Sequence, residues 1–188
     1  MGKLFGTDGI RGEANRYPMD AMTAFAVGQA VTLALKKSHH TTRVIIGKDT
    51  RRSGYMLESA LESGVTSMGG VSYLVGVLPT PGIAFLTESM RADAGAVISA
   101  SHNPYQDNGI KIFNAQGCKL PDETEAEIER IVLSEKSSDA ASSLHETGRV
   151  IGIADAVERY SDFLKACGPG LPKPFASIRV VLDCANGA

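Results

Sequence analysis

Residues 94–114 read AGAVISASHNPYQDNGIKIFN and contain two apolar runs separated by a polar turn. The first run, Ala94–Ser101, has the small and β-branched residues of a buried strand, and Gly109–Asn114 has the same character. The Asn-Pro and Asn-Gly pairs between them are typical of turns. The sequence therefore predicts a strand that ends on Ser101, then a turn, then a second strand that brings Lys111 back toward that serine.

Helical and strand patterns alternate on both sides of this stretch. The apolar spacing predicts four helices, Asp20–Lys37, Tyr55–Met68, Pro81–Met90 and Asp122–Glu135, and two further strands, Arg43–Asp49 and Val71–Val77. Strands that alternate with helices indicate an α/β domain with a largely parallel sheet.

The last quarter of the chain has a different organisation. Residues 137–149 are polar and resemble a linker, and Ile153–Ala166 has helical spacing. A strand is predicted over Ile178–Asp183, with no second strand after it. We therefore expect residues 1–150 to form one domain and residues 151–188 to be the truncated beginning of a second, similar domain without a core of its own.

The composition narrows the class of protein. The 188 residues are 43% hydrophobic and 21% charged, with a net charge of −2 and no long basic run, so nucleic acid is not an expected partner. No run approaches the roughly 20 apolar residues of a membrane span, and the N-terminus lacks the pattern of a signal peptide. Three distant cysteines favour a reducing cytoplasm and have no metal-binding spacing.

Two polar clusters carry the candidate chemistry. Ser101 is a potential nucleophile at the carboxyl end of a strand, where ligands of open α/β sheets bind, and His102 and Lys111 are the nearby cationic or proton-transferring groups. Asn103 can contact phosphate oxygens. The second cluster, GTDGIRG at residues 6–12, places Arg11 among three glycines, where it can bind an anion.

Simpler interpretations apply to each part alone. Ser-His-Asn-Pro can be only a polar turn, and Lys111 or Arg11 alone can be a surface residue. Neighbouring residues of a strand point to opposite faces, which makes His102 an awkward base for Ser101 and disfavours a hydrolase triad. The nucleotide-binding phosphate loop is absent, since Gly47-Lys48 is followed by Asp49.

Taken together, four motifs resemble the α-D-phosphohexomutase superfamily. They are GTDGIRG (6–12), GKDTR (47–51), LPTPG (78–82) and ASHNP followed by DNGIK (100–111). The resemblance implies a three-layer α/β/α sandwich with a mixed four-stranded sheet. The forms of the first and last motifs favour the branch that acts on glucosamine phosphate.

The resemblance also implies roles. Ser101 would carry a phosphoryl group that passes to and from the sugar through a bisphosphorylated intermediate, with Lys111, His102 and Arg11 as catalytic residues and Thr7 and Asn103 as phosphate contacts. Mg²⁺ would bind Ser101 through its phosphate. The Asp-rich metal loop of the superfamily is absent from this sequence. We therefore expect a fragment that is inactive by itself.

The sequence leaves the substrate and the catalytic role open. The superfamily also includes enzymes that act on glucose or mannose phosphates, and a non-catalytic sugar-phosphate-binding module could retain the fold. The expected partners are an amino-sugar phosphate and the remainder of the same polypeptide, and a dimer is left open.

Overall fold

The computed structural model describes residues 4–36, 40–134, 146–168, 170 and 177–188. Six strands occur in these ranges: β1 (Ile10–Glu13), β2 (Arg43–Lys48), β3 (Val71–Val77), β4 (Ala94–Ile98), β5 (Asp107–Asn114) and β6 (Arg149–Gly152). Five helices accompany them: α1 (Ala21–Ala34), α2 (Ser53–Ser67), α3 (Thr80–Ser89), α4 (Asp122–Leu133) and α5 (Ala156–Cys167).

The strands form one mixed sheet in the order β1-β5-β4-β2-β3-β6. The pairs β4–β2, β2–β3 and β3–β6 are parallel, whereas β5 is antiparallel to both β4 and β1. The predicted α/β class with a mixed sheet is confirmed. The predicted number of four strands was wrong. The short edge strand β1 overlaps the predicted anion-binding loop, and β6 begins at the last residue of the predicted linker and continues into residues for which no element was predicted.

Helices cover both faces of the sheet. On one face, α1, α2 and α4 pack Val27, Leu61 and Ile128 against strand residues such as Ile46 and Ile112. On the other face, α3 and α5 pack against Ile45, Val75 and Val97. Burial on both faces explains why the central strands read as continuous apolar runs. The three-layer α/β/α arrangement is confirmed.

The contact between α1 and α2 depends on two glycines. A Cβ atom at Gly28 would lie 2.2 Å from the Leu61 carbonyl oxygen, and one at Gly64 would lie 2.1 Å from the Phe25 carbonyl oxygen. Each distance is far below van der Waals contact, so the close approach of the two helices requires that these positions lack side chains.

The strand predicted over Ala94–Ser101 ends earlier, at Ile98. Ser101 has a φ of +57°, in the left-handed region, which is incompatible with extended strand geometry. The interpretation that Ser101 is the last residue of a strand was therefore wrong, and the serine lies in the turn beyond it.

The segment after residue 148 contains a second difference. β6 pairs with β3, and α5 stacks Phe163 on Phe85 of α3 with 4.2 Å between ring centroids. The strand predicted over Ile178–Asp183 was wrong, since these residues form no strand in the structure and Val181 is 98% exposed. The domain boundary at residue 150, which β6 spans, stays a prediction.

Of the helices in the described ranges, none has the length and apolar character needed to cross a bilayer.

Candidate active site

Ser101 lies on the wall of a cleft at the carboxyl ends of the parallel strands β2 and β4. The cleft has a volume of about 810 Å³. Its walls come from the segments that follow these two strands, from the end of β1 and from residues 185–187 near the C-terminus. Ser101 is exposed there, together with His102 and Tyr105. This is the location expected for a ligand site in an open α/β sheet.

The side chains of Ser101 and His102 lie on the same side of the turn. The distance from Ser101 Oγ to His102 Nδ1 is 3.3 Å. The expectation that they point in opposite directions was wrong, because it assumed strand geometry and Ser101 has the left-handed turn conformation. The imidazole is thus within reach of the proton of the serine hydroxyl.

Arg11 and Lys111 come together around a carboxylate that we did not predict as a site residue. Asp8 accepts hydrogen bonds from Lys111 Nζ at 3.3 Å and from an Arg11 terminal nitrogen at 3.1 Å. The hydrogen bond and positive charge of Lys111, followed by the charge of Arg11, lower the pKa of Asp8 below its ordinary value. The three residues together carry one net positive charge beside the serine loop.

Strand pairing and one glycine produce this cluster. The antiparallel ladder places Arg11 of β1 opposite Gly109 of β5, two residues before Lys111. Gly9 has a φ of +83°, and a Cβ atom there would lie 2.4 Å from the Ile110 carbonyl oxygen. Only glycine fits this turn, which brings Asp8 beside Lys111.

Asn103 and Thr7, the predicted phosphate contacts, have different surroundings. Asn103 Nδ2 donates to Asp107 Oδ2 at 2.9 Å, and Asn103 Oδ1 lies 3.5 Å from an Arg11 nitrogen, so Asn103 links the serine loop to Arg11. Thr7 is exposed in the turn closed by the bond from Gly6 N to Gly9 O at 2.9 Å. The role of each in phosphate binding stays a prediction.

Arg51 is the residue that sequence reasoning missed. Its Nε donates to Asp49 Oδ2 at 3.0 Å, and this ion pair is nearly buried, with side-chain exposures of 10% for Arg51 and 16% for Asp49. Its two terminal nitrogens donate to four carbonyl oxygens of the serine loop at 2.6–3.0 Å, those of Ser101, Asn103, Pro104 and Asp107. The available signal was the motif GKDTR, in which both residues occur.

Ser99 connects this ion pair to the backbone of Ser101. The Ser99 hydroxyl donates to Asp49 Oδ2 at 2.7 Å and accepts a hydrogen bond from the Ser101 N–H at 3.0 Å. The second oxygen of Asp49 accepts from the Arg51 N–H at 3.0 Å. The site therefore has an outer part, the Ser101 hydroxyl with its cationic neighbours, and an inner part that contacts the loop backbone.

The described part of the chain offers no metal-binding group of three or more His, Cys, Asp or Glu side chains. Asp8, the carboxylate of the cationic cluster, is occupied by Lys111 and Arg11. Mg²⁺ prefers six oxygen ligands. These side chains alone do not supply such a set.

The mixed sheet between two helical layers agrees with the comparison to known protein families. Residues 2–139 match the model of the family described as phosphoglucomutase/phosphomannomutase, alpha/beta/alpha domain I. The chain belongs to this family.

Individual relatives narrow the comparison. A phosphoglucosamine mutase of Syntrophobacter fumaroxidans (strain DSM 10017 / MPOB) is 65% identical over 188 residues, which are 100% of this chain and 42% of that protein. A phosphoglucosamine mutase of Syntrophus aciditrophicus (strain SB) is 57% identical over 188 residues, which are again 100% of this chain and 42% of that protein. A Thermus thermophilus protein assigned as a phosphomannomutase superposes with a TM-score of 0.71 at 28% identity, covering 88% of this chain and 36% of that one. The chain thus spans about two fifths of the length of the curated relatives it matches.

Proposed function

We propose that this chain is the serine-bearing first part of a phosphoglucosamine mutase, which interconverts glucosamine 6-phosphate and glucosamine 1-phosphate. The observation that carries the proposal is the exposed hydroxyl of Ser101, in a cleft, with His102 at 3.3 Å and a cationic cluster on the neighbouring strands. The 65% identity to a phosphoglucosamine mutase supports the amino sugar as substrate. Such an enzyme catalyses a step in the route to UDP-N-acetylglucosamine and the cell wall.

The proposed reaction moves one phosphoryl group in each half. The bond between phosphorus and Ser101 Oγ breaks as a bond forms between phosphorus and the free O1 or O6 of the sugar phosphate. The attacking sugar hydroxyl loses its proton, and Ser101 Oγ becomes a hydroxyl. The bisphosphorylated sugar turns over in the cleft and returns its other phosphoryl group to Ser101, which restores the phosphoserine.

The neighbours of Ser101 suit this transfer. Phosphoryl transfer depends mainly on positioning and on neutralising the phosphate charge, and a phosphoserine carries about −1.5 to −2. Arg11 and Lys111 offer that positive charge, with Lys111 or His102 as the group that moves the proton. Arg11 also contacts Asn103 of the loop, and we assign Thr7 and Asn103 to phosphate contacts.

Mg²⁺ is part of the proposed enzyme, where it would neutralise the phosphate. In this chain the phosphate on Ser101 is the ligand we assign to it. The remaining oxygen ligands would be carboxylates outside these residues, because the carboxylate beside the site, Asp8, is held by two cations. The chain by itself would then lack turnover.

The test uses the complete polypeptide that contains this chain. Ser101→Ala is expected to abolish interconversion of the two glucosamine phosphates and incorporation of phosphate, measured by intact mass. Ser63→Ala, at an exposed helical serine, is the matched control and should keep both. Turnover by the Ser101→Ala enzyme, or a phosphate that maps to Ser99, would contradict the proposal.

A second candidate is a mutase of glucose or mannose phosphates, which the family description itself favours. Rates measured with glucosamine, glucose and mannose phosphates distinguish these substrates. A non-catalytic module is the third candidate, and the DNA sequence beyond residue 188 decides it. An in-frame Asp-rich metal loop supports the enzyme, and a natural stop codon supports the module.

We also propose that the protein acts in the cytoplasm. Cys118, Cys167 and Cys184 are all exposed and unpaired, in keeping with a reducing compartment. A dimer is the remaining partner proposal, and light scattering of the complete polypeptide tests it.

A further inference from the structure

The inner part of the site is densely hydrogen-bonded. A guanidinium group has five N–H donors, and Arg51 uses all five, one to Asp49 and four to loop carbonyl oxygens. Asp49 accepts three hydrogen bonds, two from Arg51 and one from Ser99. A nearly buried ion pair that makes this many hydrogen bonds has little freedom to rearrange.

The bonds converge on the residue with the unfavourable backbone conformation. Ser101 has a φ of +57°, which a non-glycine residue retains only where its surroundings determine it. Its N–H donates to Ser99 Oγ and its carbonyl oxygen accepts from Arg51, so both ends of the residue are held. The exposed Ser101 side chain is not part of these bonds.

The segment that carries Asp49 and Arg51 is itself anchored. Lys48, the last residue of β2, is 5% exposed and forms an ion pair with Glu58 of α2. The Asp49 N–H donates to the Ile98 carbonyl oxygen at 3.0 Å. The inner part is therefore fixed to the sheet and to α2 before any ligand arrives.

We propose that Asp49, Arg51 and Ser99 are positioning residues, which hold the backbone of Ser101 in its left-handed conformation and so aim the hydroxyl at the phosphoryl group. This inference rests on the proposed function for the identity of the group transferred. It assigns Ser99 a role different from that of phosphate acceptor. The hydroxyl of Ser99 is hydrogen-bonded to Asp49, after β2, and to the Ser101 N–H of the loop, whereas the hydroxyl of Ser101 faces the cleft.

The decisive variant is Ser99→Ala in the complete polypeptide, because it removes one hydroxyl and leaves the ion pair intact. We expect kcat per phosphorylated enzyme to fall by about 10²-fold, the effect typical of a displaced reacting group, with KM within about threefold of wild type. Ser99→Thr keeps the hydroxyl and should restore most of kcat. Ser63→Ala is the control for loss of a serine hydroxyl elsewhere.

A second variant tests the guanidinium. Arg51→Lys keeps the charge but offers three donors from a single nitrogen, which cannot reproduce five bonds in a planar fork. It should lower kcat at least as much as Ser99→Ala. Arg130 forms an exposed ion pair with Glu127, so Arg130→Lys is the matched control and should leave kcat unchanged.

Hydrogen exchange of the Ser101 amide separates this inference from the proposed function. The Ser99→Ala enzyme should exchange that amide at least tenfold faster than wild type, while amides of β2 and β4 keep their rates. Wild-type kinetics in both variants, or an unchanged Ser101 amide, would overturn the inference. If the wild-type enzyme fails to convert glucosamine phosphates, the proposed function fails, and the exchange rate alone decides the positioning role.

Discussion

Ser101 has a backbone conformation that costs a serine about 1–3 kcal/mol relative to its preferred regions. The cost is tolerated because Arg51 and Ser99 bind the two ends of the residue. The site divides into groups that contact the loop backbone and groups that we propose to face the phosphate. Arg11 and Lys111 belong to the second set, and both are held by Asp8.

Lys111→Ala in the complete polypeptide should leave Ser101 able to carry phosphate but slow the transfer. We expect a loss of about 10²–10⁴-fold in kcat, the range of one positioned acid–base group. Single-turnover transfer from phosphorylated enzyme to sugar phosphate measures it. Lys119→Ala removes an exposed lysine elsewhere and should retain full activity, and an equal loss in both variants would contradict the assignment.

The pKa of Asp8 predicts a pH dependence. The native pKa is below the ordinary value of 3.8, so the unfolded chain binds the proton first as the pH falls. The contribution of the Asp8 cluster to stability is therefore present above about pH 4 and is lost as the pH falls through the native pKa.

An NMR titration of the Asp8 carboxyl carbon checks this direction. In the Lys111→Gln variant, which lacks the first cause of the shift, the midpoint should rise toward 3.8. Lys119→Gln changes a lysine whose carboxylate partners are Asp122 and Glu125, and it should leave the Asp8 midpoint in place. A native midpoint at or above the ordinary value would show that Lys111 and Arg11 do not hold the carboxylate.

Among the elements, α1 and α2 approach each other closely at Gly28 and Gly64. Gly64→Ala would place a methyl group 2.1 Å from a carbonyl oxygen of α1, so the helices must move apart. We expect a loss of about 1–3 kcal/mol in the free energy of unfolding, measured by denaturant titration. Gly152→Ala is the matched control, because open space surrounds that position, and its effect should stay within about 0.5 kcal/mol.

The helices and strands differ in how well a single sequence predicts them. The central strands β2, β3 and β4 and helices α1 to α4 were predicted to within a few residues, since burial on both faces and helical spacing are strong local signals. β1 and β6 have four residues each and exist as strands only because β5 and β3 offer edges to pair with. The Arg51 contacts were missed because their acceptors are backbone carbonyls, which leave no side-chain pattern.

The whole molecule has one described sheet with helices on both faces and a C-terminal segment that does not join it. Residues 178–182 are exposed and lack ladder partners, so their amides should exchange faster than those of 44–46 and 96–98 by several orders of magnitude. Mass-spectrometric exchange of the 188-residue chain measures both sets. Equal protection would mean that this segment folds onto a surface that it does not contact here.

The position of β1 at the sheet edge has a consequence for how the protein is made. Asp8 and Lys111 are separated by 103 residues, and within the described sheet β1 pairs only with β5. On the ribosome the chain emerges from its N-terminus, so the first dozen residues leave the tunnel long before their partner strand is translated. The β4–β5 hairpin that holds Ser101 can close locally, whereas its cationic cluster is completed only by this distant pairing. The serine loop can therefore form in the growing chain before the positive charges that serve it have assembled.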